Sequence, residues 1–564
     1  ATRLGRPEKR QSDLSLSSLD EDKISGLLSA QGPFARTFSG FEYRPEQEEM
    51  LKAVTRAIYR SRHLVVEGGT GVGKSMAYLL PAVLFSISQG QRVVVSTNTI
   101  NLQEQLLRKD IPALIGVLEE AGLLGEDLAK AALLKGRANY LCLHRWNYLA
   151  RTESPTVEDA RILSKTAVWM QDTVSGDRGE INLAGRDSVT WSRISAGEKT
   201  WCPGLRDGGP CFLRSARERA EQAHIVVVNH ALLLSDLVRG GNLIPDYQHL
   251  VIDEAHNLEN EATRQLGFQV SSERLEEASE PQGRLATGVR MALAAESLAS
   301  PARQQGEQAV AGVDTQAAAV RENWARLWAA SERFLAACRQ ATSEEQNQVM
   351  LTQQIRGQQI WSDLALAWEN LDVRMQEAVQ ALSRLQRFLE ATTLPAATDQ
   401  PALAMEAATV QDNLELLRGQ LGSILDEADE ESIHWMNHDP NKGEITFHSA
   451  PLDVGATLAE QLYSRKECVV MTSATLSTEG NFEYFRKRTG VFEDCDEQLV
   501  GSPFDYQKAA LLLIPEDMPP PNAAGYLDAL SLVIAGLGKS LGGRTMALFT
   551  SYSALRAVAS RVRA

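Results

Sequence analysis

The sequence contains few cysteines, no long apolar run and no excess of positive charge. Six cysteines in 564 residues do not predict a disulfide framework. No apolar stretch reaches the ~18 residues of a membrane span and no secretory signal is visible, so we expect a cytoplasmic protein that does not contact a membrane. The net charge of −16 argues against general affinity for nucleic acid, so any such contact must be concentrated in particular segments.

The overall composition is that of an ordinary globular protein. Hydrophobic residues make up 43% of the chain and charged residues 23%. A length of 564 residues is too great for one core and predicts several domains. The polar residues 1–36 predict a linker or N-terminal extension that ends in a short helix.

Residues 68–75 form a glycine-rich phosphate-binding pattern, G-G-T-G-V-G-K-S. Glycine at such positions lets backbone N–H groups surround phosphates without Cβ clashes. Lys74 is expected to reach the β- and γ-phosphates, and the Ser75 hydroxyl to bind Mg²⁺. The apolar run 64–66 supplies the strand that should precede such a loop. The pattern therefore predicts a site for a nucleoside triphosphate and Mg²⁺.

A second motif, D-E-A-H at 253–256, follows another apolar run at 250–252. Asp253 offers a carboxylate to the same metal ion, and its neighbour can activate water. The two motifs, in this order and each after a short strand, predict a nucleotide-hydrolysing site.

Short apolar runs separated by helical segments predict an α/β fold with a parallel sheet. Strands are predicted at 64–66, 92–96, 225–228, 250–252 and 468–472. These runs are far apart, so two long insertions must leave the sheet and return. The first, 108–222, contains three of the six cysteines. The second, 260–442, predicts a bundle of amphipathic helices with an apolar repeat at Leu371, Met375, Ala378, Leu382, Leu385 and Leu389.

Two details of the later chain complete the secondary structure. Trp324 and Trp328 lie four residues apart, which we interpret as helix packing rather than as a platform for base stacking. Further strands are predicted at 444–448 and, in a final α/β stretch, at 545–550.

Polar residues beside the predicted strands are candidates for ligand contacts. Gln47 lies before the phosphate loop, and a glutamine amide can read both the N6 donor and the N7 acceptor of adenine. Thr97 and Thr99 follow the second strand, where hydroxyls suit a nucleic-acid backbone, although helix capping is an equal alternative. Ser473–Thr475 follow the strand at 468–472 and can hydrogen-bond the nucleotide site.

The motifs together resemble the DinG/XPD group of superfamily-two helicases. The similarity rests on V-E-G-G-T-G-V-G-K-S, S-T-N-T-I-N-L-Q-E-Q-L, V-V-V-N-H-A-L-L-L, V-I-D-E-A-H-N-L, M-T-S-A-T-L, K-G-R-A-N-Y-L-C, G-S-P-F-D-Y and L-F-T-S-Y. It covers residues 37–564 and implies a RecA-like motor domain, an iron–sulfur-type insertion, an α-helical Arch insertion and the start of a second RecA-like domain. It also implies ATP-driven 5′→3′ translocation on single-stranded DNA.

The resemblance implies domain bounds and residue roles. Motor domain 1 would comprise 37–107, 223–259 and 443–480, and the partial motor domain 2 would comprise 481–564. Residues expected at the nucleotide are Gln47, Gly68, Gly71, Gly73, Lys74 and Ser75. Asp253 would ligate Mg²⁺, Glu254 would polarise the attacking water, and His256 would link the nucleotide to Ser473–Thr475. Thr97 and Thr99 would touch the DNA backbone.

The cysteines depart from the family pattern. The implied four-iron cluster takes four cysteine ligands, and the first insertion contains only Cys142, Cys202 and Cys211. The expected fourth position is Gly197. A cluster with three thiolates and another ligand, a three-iron cluster, zinc with His144, and unligated cysteines remain alternatives.

The C-terminus departs as well, because the family's motor continues beyond L-F-T-S-Y to an arginine that reaches the γ-phosphate. Taken together, the motifs and their resemblance to this family predict an ATP-dependent DNA helicase acting in repair or replication. One alternative is a nucleotide-gated DNA-binding motor fragment of a nuclease-containing protein with little activity alone. An RNA helicase is the other.

Local basic residues predict where DNA lies. Lys135 and Arg137 precede Cys142, and Arg214, Arg217 and Arg219 follow Cys211; we expect Arg137 to bind the strand. Expected partners are single-stranded and forked or branched DNA and single-strand-binding protein, with the enzyme acting as a monomer.

Overall fold

A computed structural model describes residues 21–37, 41–125, 128–150, 156–183, 187–197, 209–294, 300–342, 348–394, 400–426, 431–439 and 443–563. The chain divides into two compact units, of which the first ends at Pro503 and the second begins at Phe504. None of the helices in these ranges has the length and apolarity needed to cross a membrane.

Strands are numbered in chain order: β1 Leu64–Gly68, β2 Val93–Thr97, β3 Ala131–Leu133, β4 Ile225–Asn229, β5 His249–Asp253, β6 Phe268–Ser271, β7 Gln348–Met350, β8 Ser432–Asp439, β9 Glu444–Pro451, β10 Cys468–Ser473 and β11 Asp496–Val500. Seven of them form the main sheet, in the order β11-β1-β10-β5-β2-β4-β3. Every pairing in it is parallel. The five strands predicted for this sheet are therefore confirmed.

The first unit contains these helices: Glu21–Gly26, Pro33–Thr37, Pro45–Tyr59, Lys74–Gln89, Ile100–Gln105, Ile111–Glu120, Leu143–Ala150, Val157–Trp169, Asp187–Ile194, Phe212–Gln222, His230–Val238, Leu258–Leu266, Ser272–Leu293, Ser300–Thr342, Gln353–Arg356, Gln359–Ala391, Gln400–Leu425, Val454–Gln461 and Glu483–Thr489. Those nearest the main sheet cover both of its faces, because successive strand residues point to opposite sides. Val66 and Val95 join one core, and Val65 and Val94 join the other. This is the RecA-like α/β arrangement that the sequence predicts.

The main sheet and its core contain three elements that the sequence assigned to other domains. The helix Ile111–Glu120 and strand β3 fall within 108–222, yet the helix packs in the main core and β3 pairs with β4. Strand β11 falls within 481–564, yet it pairs with β1. Both strands satisfy backbone hydrogen-bonding groups of a neighbouring strand of the main sheet, β3 on β4 and β11 on β1.

The helical insertion confirms the predicted bundle. Its long helices are Ser272–Leu293, Ser300–Thr342, Gln359–Ala391 and Gln400–Leu425. All six residues of the predicted apolar repeat are buried in its core. Trp324 and Trp328 stack on one another at 4.7 Å within that core, which supports the packing interpretation.

A second, antiparallel sheet accompanies the bundle, in the order β6-β9-β8-β7. It contains the strand predicted at 444–448, and Phe447 in β9 joins the core of the bundle. That strand therefore packs with the helical insertion rather than in the main sheet.

The second unit contains the helices Tyr506–Ala509, Tyr526–Ser540 and Tyr552–Arg563. The strand predicted at 545–550 is wrong, since this segment has no regular secondary structure and its Leu548 is 85% exposed. A strand needs a hydrogen-bonded neighbour, and none of the residues described in 504–563 forms one.

Candidate functional site

The phosphate loop connects β1 to the helix Lys74–Gln89. Gly71 and Gly73 adopt φ angles of 85° and 83°, which an L side chain rarely tolerates. Gly73 also approaches the Gln47 amide so closely that a Cβ would collide with it. The loop therefore requires glycine at these positions, and its N–H groups at the helix N-terminus can bind an anion.

Two side chains preceding β1 hold the loop in place. Gln47 is buried and its Nε2 donates to the Gly73 carbonyl at 2.9 Å. Arg44 donates to the Gly71 carbonyl. The sequence assigned Gln47 to adenine and gave Arg44 no role; here both stabilise the loop that would contact phosphates.

Lys74 and Ser75 occupy the first turn of the helix that follows the loop. The Lys74 Nζ lies 3.4 Å from the Gly68 carbonyl, so the ammonium group points back across the loop. Contact of Lys74 with the β- and γ-phosphates stays a prediction.

Asp253 ends β5 and lies beside the phosphate loop's helix. Its Oδ2 accepts a hydrogen bond from the Tyr78 hydroxyl at 2.9 Å, and both side chains are buried. Burial, followed by the charge of Glu254, raises the pKa of Asp253 to about 6. Tyr78 was missed by the sequence analysis, although a tyrosine one turn after Lys74 in an apolar helix is a usable signal.

The rest of the D-E-A-H segment forms a tight turn. Glu254 has a φ of 55°, a left-handed conformation that is unfavourable for a residue with a side chain. The His256 Nδ1 lies 3.3 Å from the Glu254 carboxylate and 2.6 Å from the Ser473 Oγ. His256 is thus joined to Ser473, the last residue of β10, while its expected link to the nucleotide stays a prediction.

Glu67 fastens that loop to the phosphate-loop strand. Its carboxylate accepts hydrogen bonds from the backbone N–H groups of Leu476 and Ser477, at 2.5 and 2.6 Å, and from the Ser477 hydroxyl at 3.0 Å. Because the partners are more than 400 positions away in the chain, only the fold reveals this role. A charged residue in an otherwise apolar strand was the available signal.

The two threonines expected to contact DNA, Thr97 and Thr99, differ in the exposure of their side chains. Thr97 is completely buried, so the structure contradicts a direct contact between its hydroxyl and a DNA backbone. Thr99 is exposed and caps the helix Ile100–Gln105 by accepting from the Leu102 N–H. Capping was the alternative interpretation of Thr99, and the exposed hydroxyl remains accessible to a ligand.

A cavity of about 280 Å³ lies where the first insertion meets the main sheet. Arg137, Arg217 and Arg239 contribute to its wall, and none of the described residues that line it is acidic. Lys135 also lines it but is 4% exposed and forms ion pairs with Asp177 and Glu104. Lys135 is therefore corrected from a DNA contact to a structural ion pair, whereas Arg239 adds a cation that the sequence analysis missed.

The residues of the first insertion do not fit a four-thiolate iron–sulfur cluster. Cys142 and Cys211 are partly buried, and Cys202 lies outside the described residues. At Gly197, the expected fourth position, a Cβ would lie 2.8 Å from the Arg145 guanidinium. Among the residues that the structure describes, no group of three or more Cys, His, Asp or Glu could hold a metal ion.

The sheet and its loops define a class of proteins, the phosphate-loop motor ATPases with a RecA-like core. The DEAD/DEAH box helicase family model matches residues 44–118, and the DEAD_2 model matches residues 204–275. The chain is 30% identical to the ATP-dependent DNA helicase YoaA of Escherichia coli (strain K12), over 95% of this chain and 76% of that protein.

Other relatives agree. ATP-dependent helicase DinG of Mycobacterium tuberculosis (strain ATCC 25618 / H37Rv) is 30% identical, over 92% of this chain and 73% of that protein. The chain therefore belongs to the DinG/YoaA family of ATP-dependent helicases. It is also 26% identical to the 3′-5′ exonuclease DinG of Bacillus subtilis (strain 168), over 92% of this chain and 55% of that protein.

Proposed function

We propose that this chain is an ATP- and Mg²⁺-dependent motor that moves 5′→3′ along single-stranded DNA and separates duplexes during repair or replication. The observation that carries the proposal is the convergence, at one sheet edge, of the phosphate loop, the D-E-A-H turn and the Ser473 loop. Parallel strands make this possible, because all of their carboxyl ends lie at the same edge.

The residues at this edge support ATP hydrolysis as the proposed reaction. Lys74 and the loop N–H groups would bind the triphosphate, while Ser75 and Asp253 would hold Mg²⁺. Bound Mg²⁺ neutralises charge that develops on the phosphate oxygens. Glu254, fixed by its left-handed backbone, orients water and accepts its proton, and His256 relays the nucleotide state to Ser473.

Single-stranded DNA is the proposed track. Its phosphates would contact Thr99 and the cationic cavity formed by Arg137, Arg217 and Arg239. Relatives named DNA helicases support DNA over RNA. The proposal includes forked or branched DNA as substrate, single-strand-binding protein as partner, a monomeric enzyme and the cytoplasm as its location. It keeps the domain organisation expected from the sequence, except that motor domain 1 also takes in the helix Ile111–Glu120, β3 and β11, and β9 goes with the helical insertion.

A second candidate is a nucleotide-gated DNA-binding module that hydrolyses little ATP alone. One observation favours it. A relative named a 3′-5′ exonuclease is matched over only 55% of its own length, so it extends well beyond the matched region. In that case the motor serves another domain.

The test is ATP hydrolysis with and without single-stranded DNA. We expect DNA-stimulated turnover that Lys74→Ala abolishes and that Lys487→Ala, a change at an exposed lysine of the first unit, leaves intact. Turnover that persists in Lys74→Ala refutes the assigned site. Mg-ATP binding without turnover, in the presence of DNA, supports the second candidate instead.

A further inference from the structure

His230 connects two loops at the catalytic edge of the main sheet. It follows β4 directly, is fully buried, and its Nδ1 lies 2.8 Å from the Ser96 Oγ. Ser96 immediately precedes the segment Thr97–Asn98–Thr99. In the sheet, β2 lies between β4 and β5, and the His230 ring reaches from the end of β4 to Ser96 in β2 and to the backbone of Asp253 at the end of β5.

The opposite side of the ring faces the D-E-A-H turn. Burial lowers the pKa of His230 to about 4, while the backbone carbonyls of Glu254 and Asp253 beside the ring act in the other direction. The Nε2 makes no hydrogen bond to a described residue. The ring is thus hydrogen-bonded to Ser96 on the β2 side. It lies against the backbone of Asp253 and the strained Glu254, where Nε2 has no hydrogen bond of normal geometry to a described residue.

The surroundings are unusually polar for a core. The Thr97 hydroxyl and both amide atoms of Gln103 are buried and also have no hydrogen-bond partner among the residues described. A buried polar atom without a partner costs about 1–3 kcal/mol, so a small movement that completes these bonds is favourable. Thr97 belongs to the segment Thr97–Thr99 and Gln103 follows it by one helical turn, so a movement of this segment can supply the missing partners.

We propose that His230 is a positioning residue that couples contact of DNA with the Thr97–Thr99 segment to alignment of Glu254. A strand bound at Thr99 would shift the end of β2, and Ser96 would carry the ring with it. The Nε2 N–H would then donate to a carbonyl of the D-E-A-H turn, with Nδ1 accepting from Ser96. This inference rests on the proposed function and adds to it the route by which DNA stimulates hydrolysis.

The experiment compares His230→Ala with His249→Ala. His249 is a buried histidine of the same sheet, but it begins β5 and therefore lies at the opposite edge. ATP turnover is measured as a function of ATP and of single-stranded DNA. We expect His230→Ala to lower the stimulation ratio, turnover with DNA over turnover without it, roughly tenfold, the effect of losing one hydrogen bond. The KM for ATP should be unchanged.

Two further variants protect the test against misfolding. His230→Gln retains a donor and should recover part of the stimulation, whereas Ser96→Ala removes the bond to Nδ1 and should lower it. Thermal unfolding of each variant identifies any that does not fold. Only the stimulation ratios of folded variants are then used to test the proposal.

The outcomes separate this inference from the proposed function. Normal stimulation in His230→Ala and Ser96→Ala overturns the coupling role alone. An equal loss in His249→Ala overturns it as well, because packing would then explain the effect. Absence of any DNA response in the unaltered protein overturns both proposals.

Discussion

Tyr78→Phe should change the magnesium requirement of ATP hydrolysis in a pH-dependent manner. The variant keeps the ring and removes the hydrogen bond at 2.9 Å from the Asp253 carboxylate. Only the ionised carboxylate binds Mg²⁺, so Mg²⁺ competes with a proton whose affinity is set by a pKa of about 6. Removing the donor destabilises the ionised form and raises this pKa further.

The size of the effect follows from the value of such a bond. A hydrogen bond to a charged group contributes about 1.5 kcal/mol, which is roughly a tenfold change in proton affinity. At pH 6.5 the ionised fraction of Asp253 then falls roughly threefold, and at pH 8 it hardly changes. The Mg²⁺ concentration for half-maximal turnover should therefore rise roughly threefold at pH 6.5 and stay nearly constant at pH 8.

The assay is ATP turnover titrated with Mg²⁺ at several pH values. Comparing two proteins at one pH cancels the titration of ATP itself. Tyr463→Phe is the matched control, because Tyr463 is a buried tyrosine that packs against Phe492 rather than against the nucleotide site. A Tyr78→Phe enzyme whose magnesium requirement equals that of the control at pH 6.5 would refute this account of Asp253.

Three further outcomes are expected. Arg137→Glu should weaken binding of single-stranded DNA and reduce the slope of log affinity against log salt by about 0.7 for each lost phosphate contact. Arg60→Glu, the same charge change at the amino end of the main sheet, should leave this slope unchanged. Equal slopes for the two variants would contradict the proposed position of DNA. Trp324→Ala should lower the free energy of unfolding of the helical insertion by about 3–5 kcal/mol in denaturant titrations, and a loss below about 1 kcal/mol would show that the stacked pair is not a core element. The chain purified without oxygen should lack a full complement of iron and sulfide by chemical assay, since Gly197 offers no thiolate; a stoichiometric four-iron cluster would disprove this.

Local patterns were enough to predict the main strands and the phosphate loop. Runs such as 93–97 contain β-branched residues that are buried on both faces, and this signal is independent of the rest of the chain. The glycines at 71 and 73 are likewise required by their own backbone angles. Features that depend on a few neighbouring residues are therefore accessible from sequence.

Features that depend on distant partners were not accessible. Thr97 was expected to follow the second strand, but it is the last residue of β2, pairs with Asn229 and is completely buried. Lys135 is positive in sequence, yet Glu104 and Asp177 neutralise it. The segment 545–550 has the composition of a strand, but no described neighbour pairs with it.

The placement of both insertions follows from the direction of the strands. The chain leaves the main sheet for the first insertion after β3, and for the helical insertion after β5. In a parallel sheet both exits lie at the carboxyl edge, which is also the edge that carries Lys74, Glu254 and Ser473. Each insertion returns to the amino end of its next strand through a helix, Phe212–Gln222 or Val454–Gln461. If DNA binds at the insertions, as proposed, this topology places it near the nucleotide site. Coupling between the DNA and the nucleotide site would then have to pass only through β2 and the strands beside it.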